Sequence, residues 1–520
     1  MSGASAAAPG GGPPPAVAVA QKGLVTLCLM MATIMQVLDT TIANVALPAM
    51  RADLGASQDT INWVLTSYIV AAAIATPLSG WVSERFGRKE LFLASVAGFV
   101  AASMAAGLAW NLPSMVVFRM AQGIFGAAIV PLSQTFLLDI NPKERHGQAM
   151  AVWGAGIMVG PIIGPTLGGW LTESFNWRWV FFINLPVGIL TFLGSSAFLP
   201  QIERRVRGFD FMGFAFLALG VGALQLMLDR GAQVDWFSAP EIWIETALAV
   251  SGFWMFGVHI LTTEHPFIEP AMLADRNFAT GLIFIFVVGI ILLASLALLP
   301  PMLTVVFGYP TITTGMVMAP RGVGTMITMI LAGRLLRVVD PRKLVVTGLL
   351  LAAASLWIMS GFSPQMDARL IILSGVIQGL GLGLVFVPLS TVAFATLAPR
   401  FRADAASLFS LVRNIGSSIG ISLVTVLLTR NVQINHAELS AQLTPFNPNL
   451  TGMAAGASMS DPTFLSRLDG MVNVQALMVS YIDDFKALMF VTLSAIPLAL
   501  MLRRPRTPAG RGAAAAPTME

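Results

Sequence analysis

The sequence predicts an all-α polytopic membrane protein built from two six-helix bundles and two inserted helices. Its 520 residues are 56% apolar and only 11% charged, whereas an average soluble domain is about 25% charged. Apolar runs long enough to cross a hydrocarbon core of about 30 Å recur along the whole chain. The polar motifs of the first six runs return in the last six. These three observations exclude a water-soluble globule.

Fourteen apolar segments are predicted to cross the bilayer. They lie at about 24–48, 60–82, 91–110, 115–138, 148–170, 179–199, 210–229, 242–262, 279–303, 312–336, 344–363, 369–397, 404–429 and 486–502. Lys and Arg collect in alternate connections, such as Arg88 and Lys89 after the second span and Arg342 and Lys343 after the tenth. By the positive-inside rule these connections face the cytoplasm, and an even number of spans places both termini there.

The predicted domains follow from these spans. Residues 1–22 form a disordered cytoplasmic tail, 23–200 the first bundle, 201–275 the insertion with its connections, 276–503 the second bundle and 504–520 a second cytoplasmic tail. The first 22 residues lack the basic start of a signal peptide. The single cysteine, Cys28, allows no internal disulfide. The four histidines have no metal-ligand spacing, so we expect neither a metal nor a cofactor.

Polar motifs reveal the repeat. Gly80–Lys89 follows the second span as Gly333–Lys343 follows the tenth, and Gln122-Gly123 in the fourth span returns as Gln378-Gly379 in the twelfth. These matches pair spans 1–6 with spans 9–14 and leave spans 7 and 8 as an insertion. Two related six-helix halves are typical of transporters whose site lies between the halves.

Asp39 lies inside the first span, about 24 Å from its start. A charge at that depth costs between about 2.5 and more than 10 kcal/mol unless it faces protein or water, finds a cation or takes up a proton. Asp39 is therefore a candidate proton carrier. The alternative is a structural acid that caps neighbouring backbone through Thr40, Thr41 or Asn44.

Arg119 in the fourth span is the candidate partner of Asp39. The corresponding positions of the second half hold Gly375 and Ile291, so packing of the repeated scaffold does not by itself require the two charges. The alternative for Arg119 is a cation that only binds helix carbonyls. Polar residues predicted along the substrate pathway are Gln36, Asn44, Gln122, Gly123 and Gln378. Arg321, Arg413 and Glu245 are secondary intramembrane charges.

These motifs resemble the major facilitator superfamily and, within it, the fourteen-span drug:proton antiporters of the EmrB/QacA type, nearest to the EmrB-type subunit of Gram-negative tripartite exporters. The resemblance covers nearly the whole chain and is carried by Leu38–Pro48, Gly80–Lys89, Arg119–Gly123 and the fifth-span glycines. One departure is Glu84, where the loop motif usually has Asp. The resemblance implies proton-driven multidrug efflux by alternating access from the bacterial inner membrane. It also implies two partners, a periplasmic membrane-fusion adaptor (EmrA-like) and an outer-membrane channel (TolC-like).

The fifth span carries glycines at every fourth position. The residues of this motif are Gly156, Gly160, Pro161, Gly164, Pro165, Gly168 and Gly169. A bare helix face of this spacing allows close helix approach, and prolines kink the helix. In the resembled family this motif distinguishes exporters from importers, so the resemblance implies export. Ordinary close packing is the alternative.

The connection after the second span is predicted to be a cytoplasmic latch that bridges helix ends in one state and parts in the other. Its residues are Gly80, Glu84, Arg85, Gly87, Arg88 and Lys89. The alternative is a charge cluster that only sets topology.

Other functions are disfavoured but stay open in part. The chain has no phosphate-binding loop of the P-loop type, which counts against ATP as the energy source, and nothing in it resembles an enzyme. A dedicated fatty-acid or siderophore exporter on the same scaffold is one alternative, and a transport-inactive membrane sensor or scaffold is another.

The connection at 431–485 is much longer than the others and is placed in the periplasm. Its apolar spacing predicts a helical hairpin that extends spans 13 and 14. The resemblance implies that the adaptor docks there, and a lid over the exporter's own outer mouth is the alternative.

Overall fold

The computed structural model describes residues 19, 21–202, 204, 208–443 and 462–499. These residues form helices and connections, without a β-strand. Thirteen helical segments are long and apolar enough to cross a membrane. A fourteenth long helix, Pro462–Ser494, precedes the end of the described chain. The last predicted span, 486–502, lies partly outside the described residues, as do nearly all of 1–22 and all of 504–520.

The first half contains six spans. Its helices are α1 Lys22–Asp53, α2 Gln58–Ile61, α3 Trp63–Phe86, α4 Arg88–Gly107, α5 Leu112–Gly126, α6 Ile129–Ile140, α7 His146–Ile157, α8 Val159–Ser174, α9 Trp179–Phe182 and α10 Asn184–Phe198. The fourth, fifth and sixth spans are each interrupted once. Each interruption begins close to the residue four positions before Pro131, Pro161 or Pro186, because a proline has no N–H to donate to the carbonyl four residues earlier.

The insertion is a pair of helices, α11 Phe211–Arg230 and α12 Pro240–Thr262. α11 packs on α3 of the first half and on α18 of the second, whereas α12 packs mainly on α11. Hydrogen bonds from Thr66 to Asp229 and from Ser418 to Gln225, the latter 2.9 Å, fix α11 to both halves. Since α3 and α18 also contact each other directly, α11 covers their seam from outside.

The second half contains the remaining spans. Its helices are α13 Pro270–Leu273, α14 Arg276–Pro301 with a π-helix at Met302–Val306, α15 Thr311–Leu335, α16 Pro341–Met359, α17 Ala368–Ala395, α18 Arg402–Ala441, α19 Pro462–Ser494 and α20 Ile496–Ala499. α18 has 40 residues and is therefore about 60 Å long, twice the hydrocarbon thickness. Its far part pairs with α19 through Asn435–Ser480 (3.0 Å), near the middle of α19, and His436–Asp469 (3.1 Å), near its start. The two helices thus form the arms of an extended hairpin, whose tip, 444–461, lies outside the described residues.

The two halves contact each other along α3 with α18 and along α7 and α8 with α15. We call the end that carries Gly80–Lys89 the basic end. There the Oγ atoms of Ser79 and Ser407 lie 2.8 Å apart, and Arg337 donates to Gln148 over 2.7 Å. The basic end is therefore closed between the halves.

Asp210 fastens the insertion at the same end. It caps α11 by accepting from the Gly213 N–H, and it also accepts from the Phe267 N–H and pairs with His259 of α12, each at 2.9 Å. Burial alone would raise the pKa of Asp210, but the hydrogen bonds from Gly213, His259 and Phe267 outweigh it and hold the pKa below its usual value. One carboxylate thus joins both inserted helices to the connection that follows them.

We predict that Asp210→Asn destabilises the protein by about 1–3 kcal/mol at pH 7, because the amide cannot accept all three hydrogen bonds. The measurement is thermal unfolding in detergent. A carboxyl with a lowered pKa stabilises the fold above its unfolded pKa of about 3.9 and loses this effect as the pH falls through the folded value. The difference from wild type should therefore shrink below about pH 4. Glu264→Gln, at an exposed position in the same region, is the control, and equal melting of Asp210→Asn and wild type at pH 7 would refute the assignment.

Candidate functional site: a buried carboxylate–guanidinium pair

Asp39 of α1 and Arg119 of α5 form an ion pair inside the first half. Arg119 Nη1 lies 2.6 Å from Asp39 Oδ2, and both side chains are 0% exposed. The bilayer makes an isolated charge costly at this depth, and pairing inside protein is one of the few ways to keep both groups ionised. The pair that the sequence suggested is therefore present in the fold.

Two amides complete the binding of the carboxylate. Gln122 Nε2 and Asn184 Nδ2 each donate to Asp39 Oδ1 over 2.8 Å. Asn184 also donates to Ser103 Oγ (2.9 Å), which in turn donates to the Phe181 carbonyl (3.0 Å). Asp39 thus accepts three hydrogen bonds, all from other helices.

Arg119 is held by α3 as well as by its acid. Its Nε donates to the Val64 carbonyl over 3.1 Å, and its guanidinium lies 4.4 Å from the centroid of the Tyr68 ring. Buried Arg119 Nη2 has no hydrogen-bond partner among the described residues. Gly123 permits this packing, since a Cβ there would collide with the Tyr68 carbonyl. The site therefore retains an unused donor beside the ion pair.

The glycine face of the fifth span packs on the helix that carries Asp39. A Cβ on Gly160 would lie 3.0 Å from Val37 Cγ1, and one on Gly168 would lie 3.2 Å from Ile42 Cα. Gly156 and Gly164 meet Met30 and Thr41 of the same helix. Gly169 differs, because a Cβ there would meet no atom within 4 Å. Four of the five motif glycines thus set the distance between α8 or α7 and α1.

At the basic end, Asp139 at the end of α6 links the first half to the second. It forms ion pairs with Arg88 at the start of α4 and, over 2.8 Å, with Arg402 at the start of α18. Gly80 packs directly on the second half, because a Cβ there would lie 3.0 Å from Asp404 Cα. Glu84 is buried and Arg85 exposed, and Gly87 adopts φ +107°, which favours glycine. Arg88 and Gly80 of the predicted latch therefore take part in contacts at this closed end.

The comparisons with known proteins identify the family. The family model described as Major Facilitator Superfamily matches residues 29–421. The chain belongs to the Major Facilitator Superfamily. It is 36% identical over 472 residues to the multidrug export protein EmrB of Escherichia coli K12, covering 90% of this chain and 92% of that protein. It is 34% identical over 493 residues to the fatty acid resistance protein FarB of Neisseria gonorrhoeae, covering 94% and 97%.

Solved structures of the superfamily share the fold. The human organic anion transporter MFSD10 matches with a TM-score of 0.59 and 14% identity, covering 90% of this chain and 99% of that one. The proton:xylose symporter XylE matches with a TM-score of 0.57 and 13% identity, covering 92% and 98%. At these identities the likeness shows the fold alone, and it agrees with the predicted all-α, two-bundle architecture.

Other residues singled out by the sequence do not join the pair. Gln36 lies near it on α1 and interacts with the Tyr68 side chain, whereas Asn44 is exposed. Gln378 is fully buried in the second half, and neither of its amide atoms has a described partner. Thr40 and Thr41 donate to carbonyls of their own helix, and Asp39 accepts instead from other helices.

The secondary charges lie in three different places. Arg321 of α15 is buried and donates to Ser295 Oγ over 3.4 Å. Arg413 of α18 is half-buried, with Asn414 Oδ1 at 3.5 Å. Glu245 lies on α12, outside both halves, and its buried Oε2 has no partner within the described chain. In the described structure none of the three forms an ion pair with Asp39 or Arg119.

Sequence reasoning missed Asn184, Ser103, Tyr68 and Asp139. The first three are uncharged, so the bilayer marks them only weakly, although Asn184 is a lone amide in an apolar run and Tyr68 is one of only three tyrosines. Asp139 lies at a span end, where an acid carries no special cost.

We predict that Gly164→Ala displaces α1, because its new Cβ would lie 2.8 Å from Thr41 Cβ. Overpacking of this kind costs about 1–3 kcal/mol, so the melting temperature in detergent should fall. Gly169→Ala is the matched control, since it adds the same methyl group in open space and gains helix propensity. Equal melting temperatures for the two variants would contradict the assigned packing.

Proposed function

We propose that this superfamily member is a proton-driven exporter of amphipathic toxic compounds, working by alternating access between its two halves. The observation that carries the proposal is the fully buried Asp39–Arg119 pair. Intramembrane acids of this kind mark proton or ion pathways. Support for drugs as the cargo comes from relatives described as multidrug export proteins, 36% identical in E. coli and 38% in Haemophilus influenzae.

The geometry suggests how a proton could be exchanged. In the conformation described here Asp39 has three donors and needs no proton. Any movement of α1 away from α5 or α10 removes donors from a carboxylate that cannot be solvated by lipid, and this favours its protonated form. Substrate entry near the pair and proton release from Asp39 would then alternate.

The same proposal assigns a location and an orientation. The protein would lie in the bacterial inner membrane, with its basic end and both termini in the cytoplasm, since Lys and Arg concentrate at that end. The hairpin of α18 and α19 would then project into the periplasm. Its length supports a docking role toward a membrane-fusion adaptor, which would pass substrate to an outer-membrane channel. Export across one bilayer does not require such a projection.

A dedicated fatty-acid exporter is the second candidate. It is favoured by the similarity to FarB, which is described as a fatty acid resistance protein and matches 94% of this chain. Both candidates use the same scaffold and the same proton-binding acid. Growth of an overexpressing strain against dyes, uncouplers and long-chain fatty acids separates them.

The test of proton coupling is drug-induced proton release from the purified protein, followed with a pH indicator in weakly buffered detergent. We expect release from wild type and none from Asp39→Asn. Asp53→Asn is the matched control, because Asp53 also pairs with an arginine, Arg178 at 2.6 Å, but is 53% exposed. Drug binding measured by tryptophan fluorescence verifies that each variant is folded. Wild-type proton release from a folded Asp39→Asn protein would refute the proposed role.

The docking role is tested on the exposed face of the hairpin. Leu465 and Met471 of α19 are 44% and 53% exposed, and Met471 lines a cavity of about 560 Å³ with Pro364 and Gln365 of the α16–α17 connection. We predict that Leu465→Glu with Met471→Glu abolishes co-purification of a co-expressed adaptor and leaves drug-induced proton release intact. Leu465→Met with Met471→Leu is the control. If the variant still binds the adaptor but its transport is altered, the hairpin is instead a lid over the exporter's own outer mouth.

A further inference from the structure

A second carboxyl is buried where the hairpin meets the last predicted span, far along the chain from the first. Asp484 of α19 is 0% exposed. Neither Oδ1 nor Oδ2 accepts a hydrogen bond from any residue that the structure describes. Asp39, by contrast, accepts three. Asp39 and Asp484 therefore lie in opposite electrostatic environments.

The surroundings of Asp484 are apolar. α19 packs here against α14, α16 and α18, and its neighbours Tyr481 and Phe485 belong to the same buried cluster as Met302, Met359 and Val424 of those helices or their extensions. The Phe485 ring stacks edge-on against Phe362, with centroids 6.2 Å apart. Within the described residues, this cluster gives the Asp484 carboxyl no hydrogen bond.

The charged side chains on the described helices packed around Asp484 do not form an ion pair with it. On α19 itself, Asp483 points outward and pairs with Lys486 over 3.2 Å. On α18, Arg430 is exposed. Arg413 precedes Val424, the cluster residue on that helix, by more than two helical turns in the direction of the basic end. The charged residues of α14 and α16, namely Arg276, Arg342 and Lys343, lie in the first turns of those helices, at the basic end. Within the described residues, no ion pair includes Asp484.

An unpaired carboxylate in such a setting costs several kcal/mol, because neither water nor a cation offsets its burial. The protonated, neutral carboxyl loses far less solvation free energy on burial. We propose that Asp484 is a second proton-binding site, occupied while α14 and α19 are packed together and emptied to water when they separate. The inference extends the proposed proton-driven transport, and it assigns the second half a proton site that the Asp39 pair does not supply.

The segment that would move is the end of α14. Pro300 and Pro301 remove two backbone donors there, and the helix continues as a π-helix over Met302–Val306 that packs against α19. π-helical turns often occur at functional sites. Movement of this turn away from α19 would expose Asp484 at the end opposite the basic one. Proton binding would then favour closure at that end, and deprotonation would favour opening.

Infrared difference spectroscopy tests the protonation directly, without drug or gradient. Wild type should show the C=O band of a protonated carboxyl at neutral pH, lost at alkaline pH. Asp484→Asn should lack this band, and Asp483→Asn, which changes the exposed neighbour, should retain it. If Asp484→Asn does not accumulate, Asp484→Leu preserves the apolar packing and should also lack the band. An unchanged band in either Asp484 variant overturns the proposal.

Movement is tested by spin labels on the π-helix and α19. Val305 and Val479 are 62% and 38% exposed, and cysteines there can be labelled in a Cys28→Ala background. We predict that the distance between labels increases at alkaline pH in wild type and in Asp39→Asn but stays short in Asp484→Asn. An increase of this distance at alkaline pH in Asp484→Asn, as large as in wild type, refutes the proposed movement. The label distance in Asp39→Asn should still increase. This measurement therefore tests the role of Asp484 separately from the role of Asp39, which drug-induced proton release tests.

Discussion

The bilayer's intolerance of an unpaired charge is the constraint that organises the first half. Asp39 receives hydrogen bonds from Arg119, Gln122 and Asn184, which reach it from α5 and α10. Arg119 in turn needs the Val64 carbonyl and the Tyr68 ring of α3. Four spans therefore converge on one carboxylate. A change in the relative position of any of them alters the free energy of its charge, which is what a proton-coupled machine requires.

The second half shows how the same scaffold is built without that pair. Tyr68 lies twelve residues before Gly80, and Arg321 lies twelve before Gly333. The structure supports this equivalence, because Gly123 packs on the Tyr68 carbonyl as Gly379 packs on the Arg321 carbonyl. Gly375 stands where the first half has Arg119. A Cβ added to Gly375 would lie 3.5 Å from Arg321 Cβ, at ordinary van der Waals contact. The cation thus lies on the second helix of this repeat instead of the fourth, and it donates a hydrogen bond to the Ser295 hydroxyl.

Sequence reasoning found the strongest physical signals and missed the weak ones. Asp39 and Arg119 stood out because charge in lipid is costly, and the superfamily and its two-bundle fold followed from repeated motifs. Asn184 and Ser103 were missed because uncharged polar groups cost little at any depth. The breaks before Pro131, Pro161 and Pro186 were not predicted, since a membrane proline can kink a helix without ending it. Asp139 was missed because its partner Arg402 is 263 residues away in the chain.

α8 connects the acid to the movement of the halves. Its Gly160 and Gly164 lie against Val37 and Thr41, on either side of Asp39. Other residues of α8, Ile162 and Thr166, meet Gly322 and Gly315 of α15 in the second half. Glycine on one side of each contact brings the helices close together, so a shift of α15 would press on α8 and, through it, on α1. By linkage, if separating the halves alters the surroundings of Asp39, a change in the charge of Asp39 alters the free energy of separating the halves by the same amount. In the proposed mechanism the fifth-span motif would be the mechanical connection between proton binding and alternating access, and its glycines would matter for where they face rather than for how many there are.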